Sequence, residues 1–166
     1  MNRKKLIVSI GLCCMLCVSG GVISSCDNKQ RDSLAIKLMS DDKAYKELQE
    51  ATETVNKACP IQTDDRTVME GASFNGNKWT YHYTIQEDTL IRFDNEVFNA
   101  SIAAGLKEST RKNIYASPNM LTMIKALIKV KADLVYQYRG SVSGKAIDVV
   151  FTYPELRVMN DVMSNK

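Results

Sequence analysis

Thr67-Val68-Met69-Glu70-Gly71-Ala72-Ser73-Phe74, then Asn75-Gly76-Asn77, then Lys78-Trp79-Thr80-Tyr81-His82-Tyr83-Thr84-Ile85, is the stretch on which the fold turns. Val68, Glu70, Ala72 and Phe74 alternate with Thr67, Met69, Gly71 and Ser73. After Asn-Gly the alternation resumes, with Trp79, Tyr81, Tyr83 and Ile85 on one face and Lys78, Thr80, His82 and Thr84 on the other. Successive strand side chains point to opposite faces, and Asn-Gly accepts the positive φ of a tight turn. The pattern therefore predicts a β-hairpin whose aromatic face meets a core.

Helical spacing flanks this hairpin. Upstream, Tyr45, Leu48, Ala51, Val55 and Ala58 recur at three and four residues between Ser40 and Cys59. Ser40 or Asp41 can cap the start, Asp41 and Asp42 favour the dipole, and Pro60 stops the far end. Downstream, Val97, Phe98, Ile102 and Leu106 form a stripe over Asp94 to Arg111, with Asp94 as cap. Beyond Pro118, Met120, Leu121, Ile124, Leu127 and Ile128 form another. A second hairpin follows: Leu134, Tyr136 and Tyr138 alternate with Val135, Gln137 and Arg139, the Gly140 to Gly144 loop turns, and Ile147, Val149, Phe151 and Tyr153 alternate afterwards. Helix, hairpin, two helices and hairpin predict a two-layer α+β domain over residues 40–166. Its sheet is expected to be four-stranded and mainly antiparallel, built from two hairpins, with three helices on one face.

The amino end has a different grammar. Met1-Asn2-Arg3-Lys4-Lys5 is followed by no charged residue from Leu6 to Ser25, the layout of an export signal with an apolar centre at Leu6 to Val18. An uncleaved signal anchor is the competing reading, disfavoured because Gly and Ser fill the last third of the run. Val22-Ile23-Ser24-Ser25-Cys26 resembles the lipobox of bacterial lipoproteins. That resemblance implies cleavage after Ser25, a diacylglyceryl group on the Cys26 thiol and often a further acyl chain on the new amino group. Residues 1–25 would then be the signal peptide and residues 26–39 a lipidated tether, of which Asp27 to Asp32 is wholly polar. Asp27 resembles the inner-membrane retention signal of enterobacterial lipoproteins; other bacterial groups sort differently, and the outer membrane is the favoured site in the cell envelope.

Removal of the signal changes the charge and the cysteine count. Three of the 22 basic residues, Arg3, Lys4 and Lys5, lie in the leader with no acid beside them, so the remaining 19 balance the 19 acidic residues. The basic balance of the whole chain is thus a targeting feature, and a nucleic-acid partner is not expected. Of the five cysteines, Cys13, Cys14 and Cys17 lie in the leader and Cys26 takes lipid, which leaves Cys59 and no intramolecular disulfide.

Candidate chemistry is sparse. His82 is the only histidine, so a Ser-His-Asp arrangement would have to use it. It lies on the polar face of its strand, and a surface role is expected. Cys59 ends a helix, where the negative dipole opposes thiolate formation, and reads as a small hydrophobe. Asp64, Asp65, Glu70, Asp88 and Asp94 lack the spacing of a calcium loop, and Asn99-Ala100-Ser101 in a helix is discounted as a glycosylation sequon. No metal, cofactor or catalytic residue is assigned.

Asn56 to Asp64, with Thr67-Val68-Met69 and Trp79-Thr80-Tyr81-His82-Tyr83, resembles uncharacterised small exported bacterial proteins with a Cys-Pro after the first helix. The resemblance implies the order of elements and no activity. The expected function is a non-enzymatic binding module, held at a membrane by lipid on Cys26, for another protein or a small ligand. The alternative is a small hydrolase or inhibitor-like module in which Trp79, Tyr81, Tyr136 and Tyr138 line a cleft.

Overall fold

The computed structural model describes residue 36 and residues 40–89 and 91–165, the side chains of residues 96–98 excepted. The leader, Cys26 and nearly all of the tether lie outside the described residues, as do the Val97 and Phe98 side chains.

Helix α1 spans Asp41–Ala58, and Ser40 caps it by accepting the Lys43 N–H at 3.2 Å. It buries Ala44, Leu48 and Val55, while Tyr45 lies at its margin against Phe74. Strands β1 (Ile61–Asp64), β2 (Thr67–Phe74) and β3 (Lys78–Ile85) follow. The β2–β3 hairpin pairs Phe74 with Trp79 and Thr67 with Ile85, and Gly76 takes φ +92° in its turn. Helices α2 (Glu96–Ala116) and α3 (Pro118–Lys129) lead to β4 (Asp133–Gly140), β5 (Ala146–Phe151) and α4 (Tyr153–Ser164).

The sheet has five strands in the order β1-β2-β3-β4-β5. All neighbours are antiparallel except β3 and β4, which run parallel from Lys78↔Asp133 to Ile85↔Gly140. The two hairpins are thus joined side by side by a crossover through α2 and α3.

Three expectations need correction. The four-stranded sheet has a fifth member, because Ile61-Gln62-Thr63-Asp64 pairs with β2. That strand is short and lies at the sheet edge without a buried face, so it carries no alternation to read. Three helices become four among the described residues: Tyr153 does not continue β5 but opens α4 behind Thr152. In a capping-box arrangement the Thr152 N–H and hydroxyl both donate to Glu155 Oε2, at 2.9 and 3.2 Å, and Pro154 sits in the first turn. Finally, α2 begins at Glu96, since Asp94 is engaged with Arg92 at 2.5 Å, and it runs on to Ala116.

The core lies between the sheet and the helices. Trp79, Leu134, Phe151, Ile124 and Leu127 are fully buried. Burying such side chains contributes about 1.5–3 kcal/mol each, which is how a domain without disulfides holds together.

Candidate functional site

Strand alternation sorts the aromatic residues into the core. Trp79, Tyr81, Tyr136 and Tyr138 are 0%, 8%, 2% and 3% exposed. Tyr81 and Tyr136 lie 5.2 Å apart by ring centroid, Tyr83 and Tyr138 5.1 Å, and Tyr83 and Tyr136 6.2 Å. Tyr81 donates to Met123 Sδ on α3 at 3.4 Å, and the Tyr138 hydroxyl lies 3.4 Å from Thr110 Oγ1 on α2. These four side chains are therefore a ladder beneath the helices and do not line an open cleft. Each such ring buries a large apolar area, and the Tyr81 and Tyr138 hydroxyls still each reach a partner at the ring's edge.

The face of the sheet away from the helices carries the polar alternates. Val135 and Thr80 are buried at its middle. Across it runs a row from four adjacent strands. Ser73 Oγ on β2 lies 2.8 Å from His82 Nε2 on β3; His82 Nδ1 lies 3.3 Å from Gln137 Oε1 on β4; Gln137 Nε2 donates to Asp148 Oδ1 on β5 at 3.0 Å. Gln137 is directly opposite both His82 and Asp148. Ser73, by contrast, is opposite Thr80, and the hairpin register places Gly71 opposite His82, so the imidazole reaches Ser73 diagonally.

A carboxylate only accepts, so Asp148 orients the Gln137 amide with Nε2 towards itself and Oε1 towards the histidine. His82 Nδ1 then carries the proton, which leaves Nε2 to accept the Ser73 hydroxyl proton. Ser73 and Asp148 are exposed, while His82 and Gln137 are half-buried between them.

A second polar centre lies at one end of the sheet. Glu87 Oε1 accepts the Phe93 N–H at 2.8 Å, and its Oε2 accepts those of Val142 and Ser143 at 2.8 and 2.6 Å. Desolvation pushes this carboxyl up, but the three backbone N–H groups with the Ser143 side chain outweigh it and bring it down to about 2. The carboxylate ties the β4–β5 loop to the segment leaving β3. Val142, at the tip of that loop, is 82% exposed.

The remaining candidates are dispersed. Cys59 is half-buried and unbridged, and burial followed by the charge of Glu70 pushes its thiol up. Asp64 accepts the Arg66 N–H at 2.9 Å, Asp88 pairs with Arg66, and Asp65 and Glu70 are exposed. Among the described residues, no three His, Cys, Asp or Glu side chains converge as metal ligands would. Asn99 uses its amide to donate to the Phe93 carbonyl at 2.7 Å.

Sequence reasoning considered His82 and read it as a surface residue, and it did not single out Ser73, Gln137 or Asp148. The register of the β2–β3 hairpin, the parallel β3–β4 seam and the β4–β5 pairing together bring them into one row, and the seam leaves no local pattern.

These elements define an α+β domain with one helical layer on a mixed five-stranded sheet. A family model described as a domain of unknown function, DUF8479, matches residues 40–147, and the chain belongs to that family. Among curated proteins nothing matches. A solved structure of a Pseudomonas aeruginosa protein, described provisionally as secreted, is 12% identical to the chain. The likeness covers 70% of this chain and 96% of that one, with a TM-score of 0.52. At that identity the likeness is one of fold.

Proposed function

We propose that the chain is a bacterial envelope lipoprotein that holds its α+β domain beside a membrane as a binding module. The observation that carries this reading is the order of its amino end: Arg3-Lys4-Lys5, an uncharged run from Leu6 to Ser25, and Cys26 behind Val22-Ile23-Ser24-Ser25. Among the described residues no helix is long and apolar enough to cross a membrane. Each buried methylene contributes about 0.8 kcal/mol, and two chains suffice for stable anchoring. The outer membrane is the favoured destination.

The burial of Trp79, Tyr81, Tyr136 and Tyr138 takes the walls from an aromatic-lined cleft. Binding is assigned instead to the sheet face that carries Ser73, His82, Gln137 and Asp148, where polar side chains stand free of the helical layer.

Metabolic labelling with an alkyne fatty acid, followed by mass spectrometry of the amino-terminal peptide, tests the anchor. A lipid-bearing Cys26 as first residue is expected, and Cys26→Ser should abolish both label and membrane recovery. An intact leader in the mature protein would overturn the reading. Membrane fractionation with protease shaving assigns the membrane and the side.

A further inference from the structure

We propose that Ser73 is an activated nucleophile with His82 as its general base, able to take an acyl group from an ester. This goes beyond a tethered binding role and does not depend on lipidation. The arrangement meets the geometric requirement for such a pair: nucleophile and base within hydrogen-bond reach, and the base oriented by a third group. Ser73 Oγ is 2.8 Å from His82 Nε2, and Gln137 Oε1 lies 3.3 Å from Nδ1. Gln137 is itself held by Asp148 at 3.0 Å. The polarity of the row is fixed from one end by a charge, and it finishes at a hydroxyl that is exposed to an incoming reagent.

In the first step Ser73 Oγ bonds to the carbonyl carbon of the ester as its proton passes to His82 Nε2. The bond to the leaving oxygen breaks, and the alcohol departs with that proton. Water, deprotonated by the same imidazole, then releases the carboxylic acid and restores the serine. Protonated His82 keeps both hydrogen bonds if the Ser73 hydroxyl turns to accept, so the row survives either charge state. Ser73 and His82 would touch the reacting atoms, whereas Gln137 and Asp148 act as positioning residues.

The test uses the full-length chain in detergent, a biotinylated fluorophosphonate and p-nitrophenyl acetate, with site mapping by mass spectrometry. Ser73 should be modified about 100-fold faster than in His82→Gln, the lower end of general-base catalysis. Ser73 modification in His82→Gln should also lose whatever pH dependence the parent shows near neutrality. The paired exchange Gln137→Glu with Asp148→Asn keeps the hydrogen bonds but puts the charge next to the histidine, and should accelerate acylation. Trp79 emission checks that each variant is folded. Modification of Ser73 no faster than exposed Ser141, or a rate indifferent to His82→Gln, would overturn the proposal.

Discussion

Asn56, on the last turn of α1, closes both hydrogen bonds of its amide on the backbone of Ala72: the Ala72 N–H donates to Oδ1 at 2.7 Å, and Nδ2 donates to the Ala72 carbonyl at 3.0 Å. The side chain stands where a strand neighbour would, beside the bulge in β2, and it locks helix to sheet. Asn56→Ala should cost about 1–2 kcal/mol, since the Ala72 N–H would be left to find water at a buried residue. Urea denaturation measures it.

Gly71 belongs to the same joint. A Cβ there would lie 2.6 Å from Asn56 Oδ1, so Gly71→Ala must push the amide off Ala72. The two substitutions should be less than additive in a double-mutant cycle, because each removes the same hydrogen bonds. Full additivity would show that the two positions are independent.

Glu87 predicts an acid transition with a definite sign. Its carboxyl is lower in the folded protein than its ordinary value of 4.5, reaching about 2. The stabilisation is complete above about 4.5 and is lost as pH falls towards 2. In Glu87→Gln an amide NH₂ faces at least one backbone N–H, so the variant should be less stable at neutral pH. The gap between it and the parent should narrow below pH 4.5 in thermal melts across pH.

Glu155 joins the capping box of α4 to α2, with its Oε1 2.8 Å from Lys107 Nζ and 3.6 Å from Arg111 Nη2. Glu155→Ala should cost about 1–2 kcal/mol, mainly as a lost cap. Glu155→Gln keeps an acceptor for the Thr152 N–H and should lose less, with a salt-dependent remainder. Melting at low and high ionic strength separates the two parts.

Trp79 is the chain's one tryptophan and is fully buried, so it reports the core directly. Its emission should be blue-shifted in the folded protein and move red in one step on unfolding. Leu134→Ala, at its partner position in β4, should cost about 2–5 kcal/mol.

The elements legible in the sequence are those that carry their own punctuation. Ser40 and Pro60 bracket α1, Asn75-Gly76 marks a hairpin, and the Trp79, Tyr81, Tyr83 alternation gives the buried face. Thr152-Tyr153-Pro154-Glu155 was equally marked, but the alternation of β5 running into Tyr153 masked it. The parallel seam was not legible, because register between strands joined by two helices depends on packing remote from either. The polar row shares that origin in part: a lone histidine on the outer face could be read, but Gln137 and Asp148 are brought to it only by the crossover.

That seam also dictates the order in which the molecule can be made. His82 and Gln137, which face each other across it, are 55 residues apart. A ribosome releases β3 well before β4 exists, so the edge bearing Trp79 and three further large apolar or aromatic side chains must wait unzipped. Until the second hairpin docks, this nascent edge is an open template for mispairing, and it should be the place where a holding chaperone grips the chain.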